Sequence, residues 1–130
     1  MLRLVLVILM LASFSSGNVG RGAANSEPID VAVTCMPSSQ KLVYRCDVRV
    51  THAKTGFPLC INGGSIELDM PSMPMAHQSP KIDLHTDASG EMKDVEVRLQ
   101  MLGEWRVLFR AGASTVAKRL DFQAGAVTTP

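Results

Sequence analysis

Apolar residues recur at every second position through most of this chain, the spacing of a half-buried β-strand. Leu42, Tyr44, Cys46, Val48 and Val50 alternate with Val43, Arg45, Asp47, Arg49 and Thr51. Ile66, Leu68 and Met70 alternate with Ser65, Glu67 and Asp69, and Ile82 and Leu84 with Lys81, Asp83 and His85. Further along, Val95, Val97, Leu99 and Met101 oppose Asp94, Glu96, Arg98 and Gln100. Past Leu102-Gly103-Glu104, Trp105, Val107 and Phe109 face one way while Arg106 and Arg110 face the other. Strand-like runs over 29–36 and 116–122 complete the set. Turn signals separate the runs at Lys54-Thr55-Gly56-Phe57-Pro58, Asn62-Gly63-Gly64, Asp87-Ala88-Ser89-Gly90 and Ala111-Gly112-Ala113. Short alternating strands with regular turns and no long helical period predict an all-β fold, a single immunoglobulin-like antiparallel β-sandwich of about seven strands. Trp105, the one tryptophan, belongs between the sheets as a core anchor.

The first residues break this pattern. Met1-Leu2-Arg3 is a positive start, residues 4–14 are apolar, and residues 13–26 are rich in small side chains, as in a secretory signal peptide. The apolar run falls short of the roughly 20 residues that span a bilayer. No cysteine precedes Cys35, so no lipid attachment point is expected there. Cleavage fits after Ser15, Gly17 or Ala24, and membrane association follows only if the segment stays uncleaved. The organisation expected is a signal peptide and short linker over 1–26, one sandwich domain over 27–124 and a flexible tail over 125–130. Without Arg3 and Arg21 the 13 basic residues fall to 11 against 12 acidic ones, a net charge of −1. Such a domain lacks the basic stripe that nucleic acid requires. A little over 100 residues remain, enough for one modest core.

An exported chain with three cysteines can close at most one internal disulfide. Cys35 and Cys46 flank Pro37-Ser38-Ser39-Gln40. Pairing 29–36 with 42–51 about that turn sets the two cysteines opposite each other, at a Cα separation of roughly 4.5–5.5 Å that suits a disulfide. Cys60, after Gly56-Phe57-Pro58-Leu59, is then the free thiol, most simply a small buried hydrophobe.

One segment is chemically unusual: Met70-Pro71-Ser72-Met73-Pro74-Met75-Ala76-His77 sets three thioethers and an imidazole close together in a loop after a strand. Thioether sulfur suits Cu(I), and imidazole suits copper in either state. Pro71 and Pro74 fix φ and remove two backbone donors, which makes a stiff spur. In polyproline geometry Met70 and Met73 share a face; in strand geometry Met73, Met75 and His77 do. Met70 also continues the inward alternation of Ile66 and Leu68, so it is expected partly in the core. Met92 and Met101 are core candidates, and His52 and His85 solvated histidines. A blue-copper site would cluster Cys, His and Met on one late loop, and a structural zinc site would need closely spaced Cys/His pairs. Neither arrangement occurs, nor a Gly-x-Ser-x-Gly elbow or a phosphate-binding glycine loop. Carboxylates such as Asp83, Asp87, Asp94 and Glu96 fall on outward positions and read as a solvated face.

The order Thr55-Gly56-x-Pro58, Gly63-Gly64, Met70-Pro71-x-Met73-x-Met75-x-His77, Gly90 and Met101-x-Gly103-x-Trp105 resembles the YtkA-like/FixH-like family of small exported or membrane-anchored domains, over residues 29–124. The resemblance implies an immunoglobulin-like sandwich, an envelope location and a link to copper handling or respiratory oxidase assembly, without enzymatic activity. The reading that results is a periplasmic or secreted, non-enzymatic protein that binds copper, as Cu(I), through Met70, Met73, Met75 and His77. An envelope acceptor such as a respiratory oxidase component would be its partner. The alternative is an interaction or oxidase-assembly module that docks through the same loop without metal.

Overall fold

The structure, a computed structural model, describes residues 28–73 and 79–130. Eight strands follow one another: β1 (Ile29–Pro37), β2 (Val43–His52), β3 (Gly64–Asp69), β4 (Ile82–Leu84), β5 (Glu91–Arg98), β6 (Gly103–Ala111), β7 (Ser114–Phe122) and β8 (Val127–Thr128). They form two sheets, ordered β1-β2-β5 and β4-β3-β6-β7-β8, and every pairing is antiparallel. The chain changes sheet between β2 and β3, between β4 and β5, and again between β5 and β6, which makes the sandwich immunoglobulin-like. Among the described residues none is helical, and no helix is long and apolar enough to cross a membrane. The expected leader lies outside the described residues.

The alternation seen in the sequence becomes the core. Val31, Cys46, Val48 and Val50 of one sheet meet Ile66, Leu68, Val107, Phe109 and Leu120 of the other. Trp105 and Phe109 are fully buried between the sheets, as expected of inward-facing strand positions. Tyr44 crosses the gap: its ring packs edge-on against Phe122 with centroids 4.9 Å apart, and its hydroxyl donates to the Gln123 carbonyl at 2.6 Å. Burial raises the Tyr44 pKa above the ordinary phenol value.

The β1/β2 register places Cys35 opposite Cys46, and the two are joined by a disulfide with a Cα separation of 4.0 Å. A disulfide fits an exported or otherwise oxidising location.

Three details differ from the sequence reading. β5 begins at Glu91, ahead of the expected Asp94, because Asp94 sits at φ 58° in a bulge that shifts the alternation by one residue. The Asp94 N–H donates to the Asp47 carboxylate at 3.0 Å, which holds the bulge. Upstream Met92 and downstream Val95 therefore both sit at inward positions, opposite Val48 and Cys46. Leu99 and Met101 leave the strand for a loop, where the Leu99 N–H donates to the Leu42 carbonyl at 2.9 Å. Within the expected flexible tail, Val127 and Thr128 pair with Phe122 and Asp121 as β8.

Candidate functional site

The strand ends of β1, β3, β5 and β7 share one end of the sandwich with the starts of β2 and β6. The loop that carries the sulfur-rich motif leaves from there. Its root is defined by four contacts. Met70 is buried, 3% exposed, and its terminal methyl lies close to Gly103, where an added Cβ would meet Met70 Cε at 3.4 Å. Gly103 sits at φ 129°, so it provides both the backbone bend and the space. The Met73 N–H donates to the Met70 carbonyl at 3.1 Å, closing a turn with Pro71 in its favoured second position. The Ser79 N–H donates to the Leu68 carbonyl at 3.3 Å, and Ser79 Oγ to the Arg98 carbonyl at 3.3 Å, so the returning chain is fixed beside β3 and β5.

These contacts separate the methionines by role. Met70 is a core side chain, continuing the inward run of Ile66 and Leu68. Met73 is 37% exposed at the loop's outgoing arm. The turn over residues 70–73 therefore replaces polyproline geometry and sends Met70 and Met73 to different environments. Met75 and His77 lie outside the described residues. Met101 is partly buried against the core, two residues before Gly103. Trp105 Nε1 donates to the Met101 carbonyl at 3.1 Å, so the buried indole fastens the loop on which Met70 rests. Met101-x-Gly103-x-Trp105 and the root of the Met-Pro loop, far apart in sequence, thus form one structural unit. Sequence alternation could not reveal that contact; the glycine between a methionine and a tryptophan was its only signal.

The loop's flank is polar. Asp69 takes a bidentate ion pair from Arg106, through Nε at 2.9 Å and through Nη2. That contact raises the Arg106 pKa, first through the hydrogen bond and then through the charge of Asp69. Glu67 meets Lys81 at 3.3 Å and Arg110 at 3.6 Å. Glu67, Asp69, Ser79 and Lys81 line an open depression of about 280 Å³ whose acids are already ion-paired.

The remaining candidate donors stand at the opposite end. His52 is half-buried and His85 exposed. Met92 Sδ accepts from the His85 N–H at 3.5 Å and packs partly against the core. Cys60 is free and exposed, not the buried hydrophobe expected, because Leu59 and Ile61 on either side turn inward. Its thiol donates to the Thr86 carbonyl at 3.3 Å. Among the described residues no group of three or more His, Cys, Asp or Glu is arranged to hold a metal ion. The acids expected on a solvated face, Asp83, Asp87, Asp94 and Glu96, are all exposed.

Fold and site together define a single immunoglobulin-like domain, stapled within one sheet by a disulfide, with a methionine-bearing loop anchored at one end. No protein-family model, curated protein or solved structure matches the chain.

Proposed function

We propose that the protein is an exported, non-enzymatic copper-binding protein that holds Cu(I) on the Met73-Pro74-Met75-Ala76-His77 segment and passes it to an envelope acceptor. The observation that carries this reading is the division of labour within the loop. Met70 is spent as a core anchor, yet Met73 is left half in solvent on a turn fixed at both ends. Exposing a thioether has a hydration cost and an oxidation risk, and a soft monovalent cation is the use that suits it. Met75 and His77 follow two and four residues later and supply a second thioether and an imidazole. Thioethers are neutral and bind without releasing a proton, so capture depends on pH only through the imidazole. The resemblance to YtkA-like/FixH-like domains points the same way and adds oxidase assembly as the process served.

A second reading has its own support. Met36, Leu102 and Met73 are exposed to 67%, 37% and 37%, and all three stand at the loop's end of the sandwich. Apolar side chains collected there also suit a protein partner without metal.

A competition titration against a chromophoric Cu(I) chelator tests the choice. The purified protein should bind one Cu(I) at micromolar or tighter affinity, and replacement of Met73, Met75 and His77 by alanine should abolish it. Absence of binding, or equal binding by the variant, would transfer support to the docking reading.

A further inference from the structure

A sandwich must protect the edges of its sheets, since an unpaired strand is a template for another chain. Three of the outer strands here are visibly protected. β4 and β8 are three and two residues long. β5 carries Glu91, Lys93, Asp94, Glu96 and Arg98 and is interrupted by the Asp94 bulge. β1 is different: it runs for nine residues, Ile29–Pro37, pairs with β2 along its whole length without a bulge, and bears one charge, Asp30. Its only proline is the last residue.

Among the described residues no strand pairs with the outer edge of β1, which β7 and β8 of the other sheet flank, and the disulfide tells which peptide groups face that edge. Opposed residues bridged at a Cα separation of 4.0 Å form a narrow, non-hydrogen-bonded pair, so Cys35 and the residues in phase with it, Val33, Val31 and Ile29, direct N–H and C=O away from β2. The Val31 N–H fits this phase, since it donates to the carboxylate of Asp30 at 3.1 Å.

We propose that β1 pairs antiparallel with β1 of a second copy of this chain, Val33 opposite Val33 of the second copy, joining two three-stranded sheets into one of six. Two-fold symmetry makes such an interface isologous. Only registers that match odd residues with odd residues bring the free peptide groups together. The register about Val33 uses all nine residues, with Ile29 opposite Pro37 of the second copy. Charge complementarity also favours it over a slip. Asp30 falls opposite Met36 of the second copy, whose neighbour on β2 is Arg45, a cation that also meets Asp94 at 3.8 Å and Glu96 at 3.7 Å. A slip to the register about Ala32 puts Asp30 opposite Thr34 of the second copy, whose β2 neighbour is Asp47, a like charge. The Val33 register sets Ala32 against Thr34, two small exposed side chains, and covers Met36, which is 67% exposed in one copy. Lys118, on the inner-face positions of the adjacent β7, has a stem long enough to carry its ammonium out of the junction. The pairing uses no residue of the Met-Pro loop and stands apart from copper binding.

Sedimentation of the purified protein over a concentration series measures the dimer directly. Ala32→Glu with Thr34→Glu sets like charges face to face at two symmetry-related pairs and should weaken the dimer about tenfold, a change of about 1.4 kcal/mol. Ala32→Lys with Thr34→Glu alters the same exposed positions but sets opposite charges face to face, and should restore it. Val33→Pro removes a donor that β2 does not use, so it should keep the fold by circular dichroism and abolish the dimer. A monomer up to about 1 mM, the weak end of specific association, would overturn the proposal. So would a dimer indifferent to both the charge pair and Val33→Pro.

Discussion

The two ends of the sandwich are held by different chemistry. At the end that carries Cys60, the buried Thr86 ties the 53–63 connection to the β4–β5 turn. Its hydroxyl donates to the Leu59 carbonyl at 2.5 Å and accepts from the Ile61 N–H at 2.6 Å, while its own N–H donates to the Ile61 carbonyl at 3.0 Å. Gly90 completes that end. Its N–H donates to the Asp87 carbonyl at 2.9 Å, its carbonyl accepts from the Val50 N–H at 2.8 Å, and a Cβ there would run into the Val50 carbonyl. At the loop's end sulfur joins the hydrogen bonds of Ser79, Tyr44 and Trp105: Met70 packs on Gly103, and the Cys35–Cys46 bond lies near the end of β1. The polar end closes its turns by hydrogen bonds at Thr86 and Gly90, whereas the sulfur-bearing end fixes a loop by its root and leaves an exposed thioether, Met73, beyond it. That asymmetry is what a domain needs if one end is scaffold and the other presents a ligand.

The comparison breaks first at the root. Met70→Ala leaves a cavity under the loop and over Gly103, and should lower unfolding free energy by about 2–5 kcal/mol in denaturant titration. A loss under about 1 kcal/mol would mean that the loop is not anchored through this side chain. The disulfide comes next. Replacing Cys35 and Cys46 by alanine should cost about 3 kcal/mol, the value for a closed loop of this order of length, measured by thermal unfolding with and without reductant.

At the polar end, Thr86→Val removes the hydroxyl but keeps the shape. It strands the Leu59 carbonyl and the Ile61 N–H, and should cost about 1–3 kcal/mol. Hydrogen exchange should show faster opening of residues 59–61 in that variant, with no change near Met70. At the loop's end, Tyr44→Phe deletes the bond to Gln123 and should cost about 1 kcal/mol. The phenol of Tyr44 also sets a pH limit. Its folded pKa is raised by burial, so the folded state favours the protonated form. Stability from this group is complete below the ordinary value of 10.0 and is lost as pH rises through the higher folded value. The wild-type protein should therefore lose more stability above pH 10.0 than Tyr44→Phe does. Smallest of all, Met73→Ala should leave stability within about 0.5 kcal/mol, as for an exposed side chain.

Much of this fold was legible in the sequence because binary alternation survives wherever strands are unbroken. The β1/β2 register, and with it the Cys35–Cys46 pair, followed from two runs flanking a turn. The inward placing of Trp105, Val107, Phe109 and Met70 followed from period two alone. What escaped has a local cause in each case. Asp94 takes a left-handed conformation, which resets the phase of β5 and hides the strand's start at Glu91 from an alternation count. β8 is two residues long, too short to show a period. The exposure of Cys60 depends on Leu59 and Ile61 packing inward from a loop, and the meeting of Met70 with Gly103 is tertiary. Met73, Met75 and His77 were legible only as composition: soft donors crowded into a proline-spaced loop.

X-ray absorption at the copper edge of the Cu(I)-loaded protein tests the central claim most directly. The proposal predicts a coordination shell of two thioether sulfurs and one imidazole nitrogen, which loses sulfur in Met73→Ala and in Met75→Ala and loses nitrogen in His77→Ala. A shell of nitrogen and oxygen alone, or one unchanged by these substitutions, would contradict it.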